Sequence, residues 1–276
     1  MSLLDQPVWR VFDQSSLGSH FDGRQSFALD DTLCESVGSG ASACAARLWV
    51  HQQTVMLGIQ DTRLPYLHDA LDALKQAGFS YVARNSGGLA VVLDDGVLNL
   101  SLIFSERDKP LSIDEPFQAM AGFIERVLNP FGITFETGEI AHSYCPGRYD
   151  LSAGGRKFAG ISQRRVRGGV AVQIYLCVSG SGPARAELIR TFYKKGLQGE
   201  ATRFNYPDID PHVMASLQEM SGLKLNVPQI ASAVLKTLQM SGKVIGSSLS
   251  DRESRLFGNY YERMIHRNEK AFGNFG

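Results

Sequence analysis

An α+β fold, a mixed β-sheet with flanking helices plus a helical C-terminal appendage, is predicted by three features of the 276-residue sequence. Extended segments and helices alternate without a regular βαβ rhythm. Strand-like stretches outnumber helices up to about residue 180, and after Pro207 the texture turns helical. The expected organisation is a domain over residues 1–206 with an appendage over residues 207–276 packed on it.

The elements follow in order. Leu29, Leu33 and Val37 recur four apart and predict a helix over Ser26–Val37, with Gly38 as its stop. A Gly/Ala/Ser-rich run from Gly38 to Ala46 reads as a loop before strands at Arg47–Val50 and Thr54–Ile59. Pro65 suits the first turn of a second helix carrying Leu67, Leu71 and Leu74, and Gly78 ends it. From Tyr81 to Phe104 extended structure is broken by Gly87-Gly88 and by Asp94-Asp95-Gly96, the latter predicting a hairpin. Ser112 and Glu115 stand in capping-box register before a third helix with Phe117, Met120, Ile124 and Val127 on one side, bounded by Pro130. Alternation of Val170, Val172, Ile174, Leu176 and Val178 predicts a strand over Gly169–Val178. Helices are expected at Val213–Met220, Ile230–Met240 and Asp251–Ala271.

Lys plus Arg and Asp plus Glu both number 28, and 43 % of residues are apolar, which excludes a disordered chain and argues against bulk nucleic-acid binding. Apolar runs such as Leu89–Leu93 fall far short of the roughly 20 residues a bilayer span requires. The start, Met1-Ser2-Leu3-Leu4-Asp5-Gln6-Pro7, shows no basic stretch followed by an apolar one, so the cytoplasm is the expected compartment. No nucleic-acid or membrane partner is expected, and a monomer is the default. Cys34, Cys44, Cys145 and Cys177 form no CxxC pair and read as reduced thiols.

Two segments could carry chemistry. In Arg84-Asn85-Ser86-Gly87-Gly88 the glycine pair would let the backbone approach a ligand, and Arg84 could meet an anion. By residue type alone such a pair is more often a simple turn. Cys145 sits in a Pro/Gly turn amid Arg148, Arg156, Lys157, Arg164, Arg165 and Arg167, with only Asp150 opposing them, and a positive field favours the nucleophilic thiolate. The plainer alternative is a small buried hydrophobe, which suits Cys34 and Cys177 better. Cys44 has no charge near it to activate it. His142 lies three residues before Cys145 and could assist it only if the turn bends favourably; His20, His51, His68, His212 and His266 stand alone. No metal-ligand spacing, P-loop or dinucleotide fingerprint is present.

Arg84-Asn85-Ser86-Gly87-Gly88 with Asp95-Gly96, followed by Lys157-Phe158-Ala159-Gly160-Ile161-Ser162, resembles the substrate loop and lysine segment of the biotin/lipoate protein ligase superfamily. Ala28–Leu33 and Thr54–Gly58 are similar to its N-terminal helix and early strand, so the resemblance covers about residues 25–180 in order. Cys145-Pro146-Gly147-Arg148-Tyr149-Asp150-Leu151 looks most like its cysteine-dependent octanoyltransferase branch. The fold implied is the catalytic domain shared with class II aminoacyl-tRNA synthetases. The superfamily's ligases carry two arginines before the glycine loop and a histidine in the next strand, where this chain has Ala83-Arg84 and Leu93. Fewer groups therefore remain to hold a nucleotide phosphate, and no cofactor is expected.

The activity implied is amidotransfer. An octanoyl group would pass from a lysine of octanoylated glycine cleavage H protein, the donor, through a Cys145 thioester to lysines of lipoyl domains of 2-oxoacid dehydrogenase complexes, the acceptors. Lys157 would stabilise the thiolate and the tetrahedral oxyanion, while Arg84, Ser86, Gly87, Gly88 and Gly160 would line the acyl site. The alternatives are transfer from an octanoyl-acyl carrier protein, ATP-dependent lipoate ligation, and a lipoyl-domain binding module without turnover.

Overall fold

The computed structural model describes residues 2–18 and 21–273 and contains two sheets. The strands of the larger, eight-stranded sheet are β1 (Val8–Gln14), β2 (Ala45–Trp49), β6 (Val97–Ser105), β7 (Glu136–Thr137), β8 (Leu151–Ala153), β9 (Arg156–Val166), β10 (Gly169–Cys177) and β11 (Lys243–Gly246). They lie in the order β11-β1-β2-β6-β10-β9-β8-β7, with β1 parallel to both β11 and β2 and the remaining pairs antiparallel. The smaller sheet has the order β4-β3-β5, from β3 (Thr54–Leu57), β4 (Ser80–Ala83) and β5 (Val91–Leu93). Seven helices complete the described fold: α1 (Gly23–Gly38), α2 (Leu67–Gln76), α3 (Asp114–Leu128), α4 (Gly182–Leu197), α5 (Leu217–Ser221), α6 (Val227–Ser241) and α7 (Asp251–Phe272). The mixed sheets with flanking helices are the predicted α+β class.

Strand alternation distributes these elements into layers. Leu98, Leu100, Leu102 and Phe104 of β6, with Val172 and Leu176 of β10, pack against α3 and α6. Ile103 and Ala171, pointing the other way, meet Leu33, Cys34 and Val37 of α1. Because β6 and β10 are covered on both faces, nearly all their residues are buried, including polar Asn99, Ser101 and Gln173. The last two hydrogen-bond to Asp30 of α1, which pairs with the buried Arg47 at 2.6 Å, so the Asp30 carboxylate finds its partners within this polar layer.

Two expectations are corrected, and one helix is added. Asp94-Asp95-Gly96 is not a hairpin turn, because β5 pairs with β3 in the small sheet while β6 enters the large one. Asp94 instead holds Arg185 of α4 through two hydrogen bonds of 2.7 and 2.6 Å, fixing the chain where it crosses between sheets. Helix α4 itself was not expected; its buried side includes Arg185 and Tyr193, which blur the apolar stripe. Val213–Met220 is not one helix: a 3-10 turn at Pro211–Val213 precedes α5, which starts at the Ser216/Glu219 capping box. Residues 207–276 also add to the large sheet. Their β11 extends the large sheet beyond β1, and α7 lies along α1, where Tyr260 donates to Glu35 at 2.6 Å.

The end of α7 also closes the small sheet. Asn268 accepts from the Ala83 N–H (2.7 Å) and donates to its carbonyl (3.3 Å), so one side chain serves as the missing neighbour of edge strand β4. No helix among the described residues is long and apolar enough to cross a membrane.

Candidate active site

Cys145 lies in the turn between β7 and β8 with φ of +48°, a left-handed conformation that costs a non-glycine residue on the order of 1–3 kcal/mol. Its surroundings enforce it. Lys157, fully buried on β9, donates to the carbonyls of Cys145 (2.8 Å) and Tyr144 (3.0 Å), approaches Ser143 Oγ (3.4 Å), and pairs with Asp150 at 2.9 Å. Asp150 in turn accepts from the Gly147 N–H at 3.0 Å. Burial pushes the Asp150 carboxyl up, and the Lys157 charge opposes that shift. One buried ion pair thereby clamps both sides of the turn.

The glycine loop between β4 and β5 approaches the sulfur from the other side. The Leu89 N–H donates to Cys145 Sγ at 3.2 Å, and Arg84 Nη2 contacts the same sulfur at 3.4 Å while donating to the Leu89 carbonyl at 2.7 Å. Gly88 has φ of +101°, and a Cβ there would lie 2.1 Å from Arg84 Nη2 and 2.9 Å from Cys145 Sγ. Only glycine admits both groups. The loop is fixed from beneath by Gly58, which packs so closely on the Gly88 carbonyl that a Cβ would fall 2.0 Å from it. Gly58 is tied by its N–H to Asp61 (2.7 Å), a fully buried carboxylate that also accepts from Tyr193 at 2.9 Å. Burial pushes the Asp61 carboxyl up to about 6, against the opposing pull of Tyr193, Gly58 and the Arg84 charge.

Beyond the sulfur opens a cavity of about 410 Å³ walled by both sheets, the first turn of α1 and the start of α3. Its apolar lining includes Phe27, Met56, Val91, Leu93, Phe117 and Ile174. Such a volume suits a small ligand, and burying an aliphatic chain there yields roughly 0.8 kcal/mol per methylene. Cys145, Arg84, Ser86, Gly87, Gly88 and Gly160 all line it. Gly160 contributes by lacking a side chain, since its Cβ would lie 2.6 Å from the Tyr175 ring.

The expected environment of the thiol is revised. Lys157 spends its donors on main-chain carbonyls, Ser143 and Asp150, and the groups that reach the sulfur are Arg84 and the Leu89 N–H. The positive field expected from the following segment is largely cancelled, because Arg148 pairs with Asp114, Arg164 with Asp31, and Arg165 with Glu106. His142 donates from Nδ1 to the Asp208 carbonyl at 2.9 Å and is not among the residues lining the cavity. His20 lies outside the described residues. His51 is neutral: burial and the Arg47 charge push it down to about 4, and it accepts from Ser26 at the cavity wall. Cys34, Cys44 and Cys177 are pushed up by burial, and Cys145 is the one described cysteine that lines the cavity. Among the described residues no cluster of His, Cys, Asp or Glu is arranged to hold a metal ion.

Fold and cavity together define an α+β domain that presents a clamped thiol to an apolar pocket. The sequence matches the lipoyl protein ligase A/B catalytic domain over residues 22–239, and the chain belongs to that family. An octanoyl-[GcvH]:protein N-octanoyltransferase of Geobacillus kaustophilus is 55 % identical over 270 residues, covering 98 % of this chain and 95 % of the relative. The protein of the same name from Bacillus velezensis is 53 % identical over 276 residues, covering 99 % and 96 %. Among solved structures, lipoate-protein ligase A bound with ATP is similar with a TM-score of 0.72 at 17 % identity, covering 97 % of this chain and 99 % of that one. The bipartite lipoate protein ligase of Thermoplasma acidophilum gives 0.70 at 16 %, covering 97 % and 98 %. Both structures share the fold described above.

Proposed function

We propose that this protein is an N-octanoyltransferase of protein lipoylation that moves an octanoyl group from a lysine of octanoylated glycine cleavage H protein to lysines of lipoyl domains of 2-oxoacid dehydrogenase complexes. The donor is suggested by the names of relatives that share about half of this sequence along nearly its whole length. The single observation that carries the mechanism is the thiol of Cys145, turned by its left-handed backbone to the cavity and contacted by Arg84 and the Leu89 N–H.

The chemistry follows from that placement. The thiolate attacks the octanoyl-lysyl carbonyl, forming a carbon–sulfur bond while the carbonyl electrons move onto oxygen. The Leu89 N–H and Arg84, which contact the sulfur, stabilise the thiolate that attacks. Collapse breaks the carbon–nitrogen bond, the leaving nitrogen takes one proton from solvent and departs as the donor lysine's neutral amine, and Cys145 holds an octanoyl thioester. A neutral acceptor lysine then attacks the thioester, the carbon–sulfur bond breaks, and the amine's surplus proton is lost as the thiolate returns. One amide is broken and one is made, so the net reaction is close to thermoneutral and calls for no ATP; the covalent step lowers its barrier.

Lys157 acts in this reading as a positioning residue that holds the Cys145 carbonyl, and Asp150 holds Lys157. The cavity is complete within one chain, in keeping with a monomer, and a free catalytic thiol suits a reducing compartment such as the cytoplasm. The test is transfer in purified components without nucleotide. Octanoylated H protein and an unmodified lipoyl domain should yield octanoylated lipoyl domain by mass spectrometry. Transfer only from octanoyl-acyl carrier protein, or only with ATP and a free acid, overturns the donor assignment.

A further inference from the structure

A second depression, of about 690 Å³, lies on the outer side of the glycine loop, between the end of β3 and the last turns of α7. Its lining carries Arg63, Arg164, Arg263, Arg267 and Lys270 against a single carboxylate, Asp31. That carboxylate is already engaged, accepting from Arg164 at 2.9 and 3.0 Å and from Asn85 at 2.9 Å. Among the described residues, Arg63, Arg263, Arg267 and Lys270 form no ion pair. Positions 263, 267 and 270 fall on one helical face, so the sequence holds like charges together without neutralising them. A surface that accepts this repulsion is complementary to an anionic partner.

The groove is joined to the cavity mouth. Arg84 and Ser86 line the cavity while Asn85, between them, lines the groove. Arg267 Nη1 donates to the Arg84 carbonyl at 3.4 Å. Ile59, 46 % exposed on the groove wall, directly follows Gly58, the residue packed beneath the Gly88 carbonyl at the exposed glycine pair. An apolar anchor and four cations without a carboxylate partner thus stand beside the glycine loop that borders the cavity.

From this juxtaposition we infer that the groove of Ile59, Arg63, Arg263, Arg267 and Lys270 is the docking surface for the acidic face of the lysine-bearing carrier domain. Donor and acceptor occupy it in turn. The inference rests on the transfer reaction proposed above: both partners must deliver the same chemical group to one sulfur through one mouth, and the first must leave before the second can enter. A single shared dock serves that order. Nucleic acid and membrane surfaces are also anionic, but neither brings a lysine to the thiol.

The experiment uses the full chain carrying Arg263→Glu and Lys270→Glu, with Arg156→Glu, an exposed arginine outside the groove, as control. Binding of an unmodified lipoyl domain and of octanoylated H protein is titrated at low and high salt, alongside alkylation of Cys145 by iodoacetamide. The groove variant should bind both domains about tenfold more weakly at low salt and lose most of the salt dependence, while iodoacetamide reacts at the wild-type rate. The control should bind as wild type, and the two domains should compete for wild-type protein. Undiminished binding by the groove variant, an equal loss in the control, simultaneous binding of both domains, or equal competition by a DNA duplex or anionic vesicles would each overturn the inference. Failure of the transfer reading is a separate result, seen as wild-type binding without octanoyl transfer.

Discussion

Arg148, Lys157, Arg164 and Arg165, in the segment that carries Cys145, and Arg263, Arg267 and Lys270 at the end of α7 look alike as residue types but occupy opposite electrostatic situations. In the first group Arg148, Lys157, Arg164 and Arg165 each pair with a carboxylate, and those carboxylates come from α1, from α3, from the β6–α3 connection and from Asp150 of the turn itself. In the second, Arg263, Arg267 and Lys270 form no ion pair among the described residues. The paired set builds rigidity: it fixes the turn that carries Cys145 and ties β9 to its neighbours. The unpaired set leaves charge available to something outside the chain. A run of cations in a sequence therefore says little about recognition until its partners in space are known.

The largest effect that would break this contrast is at the thiol. Cys145→Ala should reduce octanoyl transfer by at least about 10³-fold with thermal stability nearly unchanged, measured by single-turnover assay and calorimetry. Substantial residual transfer would remove the nucleophile from the account.

Next comes the clamp. Lys157→Met strands the buried Asp150 carboxylate and should destabilise the fold by about 3–5 kcal/mol while slowing Cys145 alkylation. The double variant Lys157→Met/Asp150→Asn should recover much of the stability in chemical denaturation without recovering transfer, because the Cys145 carbonyl still lacks its donor. Recovery of both would make Lys157 a purely structural residue.

A smaller and pH-dependent effect belongs to Asp61. Its carboxyl is raised from 3.8 to about 6, so the folded state holds this proton more tightly than the unfolded chain. Its contribution is most favourable below 3.8, declines as pH rises to about 6 and is level above that, a change on the order of 3 kcal/mol. Asp61→Asn should remove that decline from the pH dependence of unfolding free energy, so the wild-type-minus-variant difference falls between about pH 3.8 and 6 and is level above; a difference that stays flat across that range would contradict the assignment. Smallest of all, Arg148→Ala breaks an exposed pair with Asp114 and should barely move the unfolding midpoint or the transfer rate.

Much of the site was legible from residue types. Gly87-Gly88 admits a close backbone approach as well as a simple turn, and Cys145 stands in a Pro/Gly turn amid cations; both line the cavity. What stayed hidden depends on long-range packing. The donor on the sulfur is a main-chain N–H, at Leu89, which no residue type announces. Asp61 reads as a loop acid until Tyr193 and Gly58 close around it. Asp94-Asp95-Gly96 has the letters of a hairpin, yet Arg185 on a later helix decides its geometry. The short Lys243–Gly246 strand becomes a strand only because α6 returns it to the exposed edge of β1.

The central claim is that the acyl group rests on Cys145 between two carrier domains. It is tested most directly by mixing the protein with excess octanoylated H protein in the absence of ATP and acceptor, quenching in acid, and reading intact mass and peptide maps. The account predicts a mass increase of one octanoyl group, located on the peptide containing Cys145, released by hydroxylamine and absent in Cys145→Ala. An unmodified wild-type protein that nevertheless transfers octanoyl groups, or an adduct on any other residue, would contradict it.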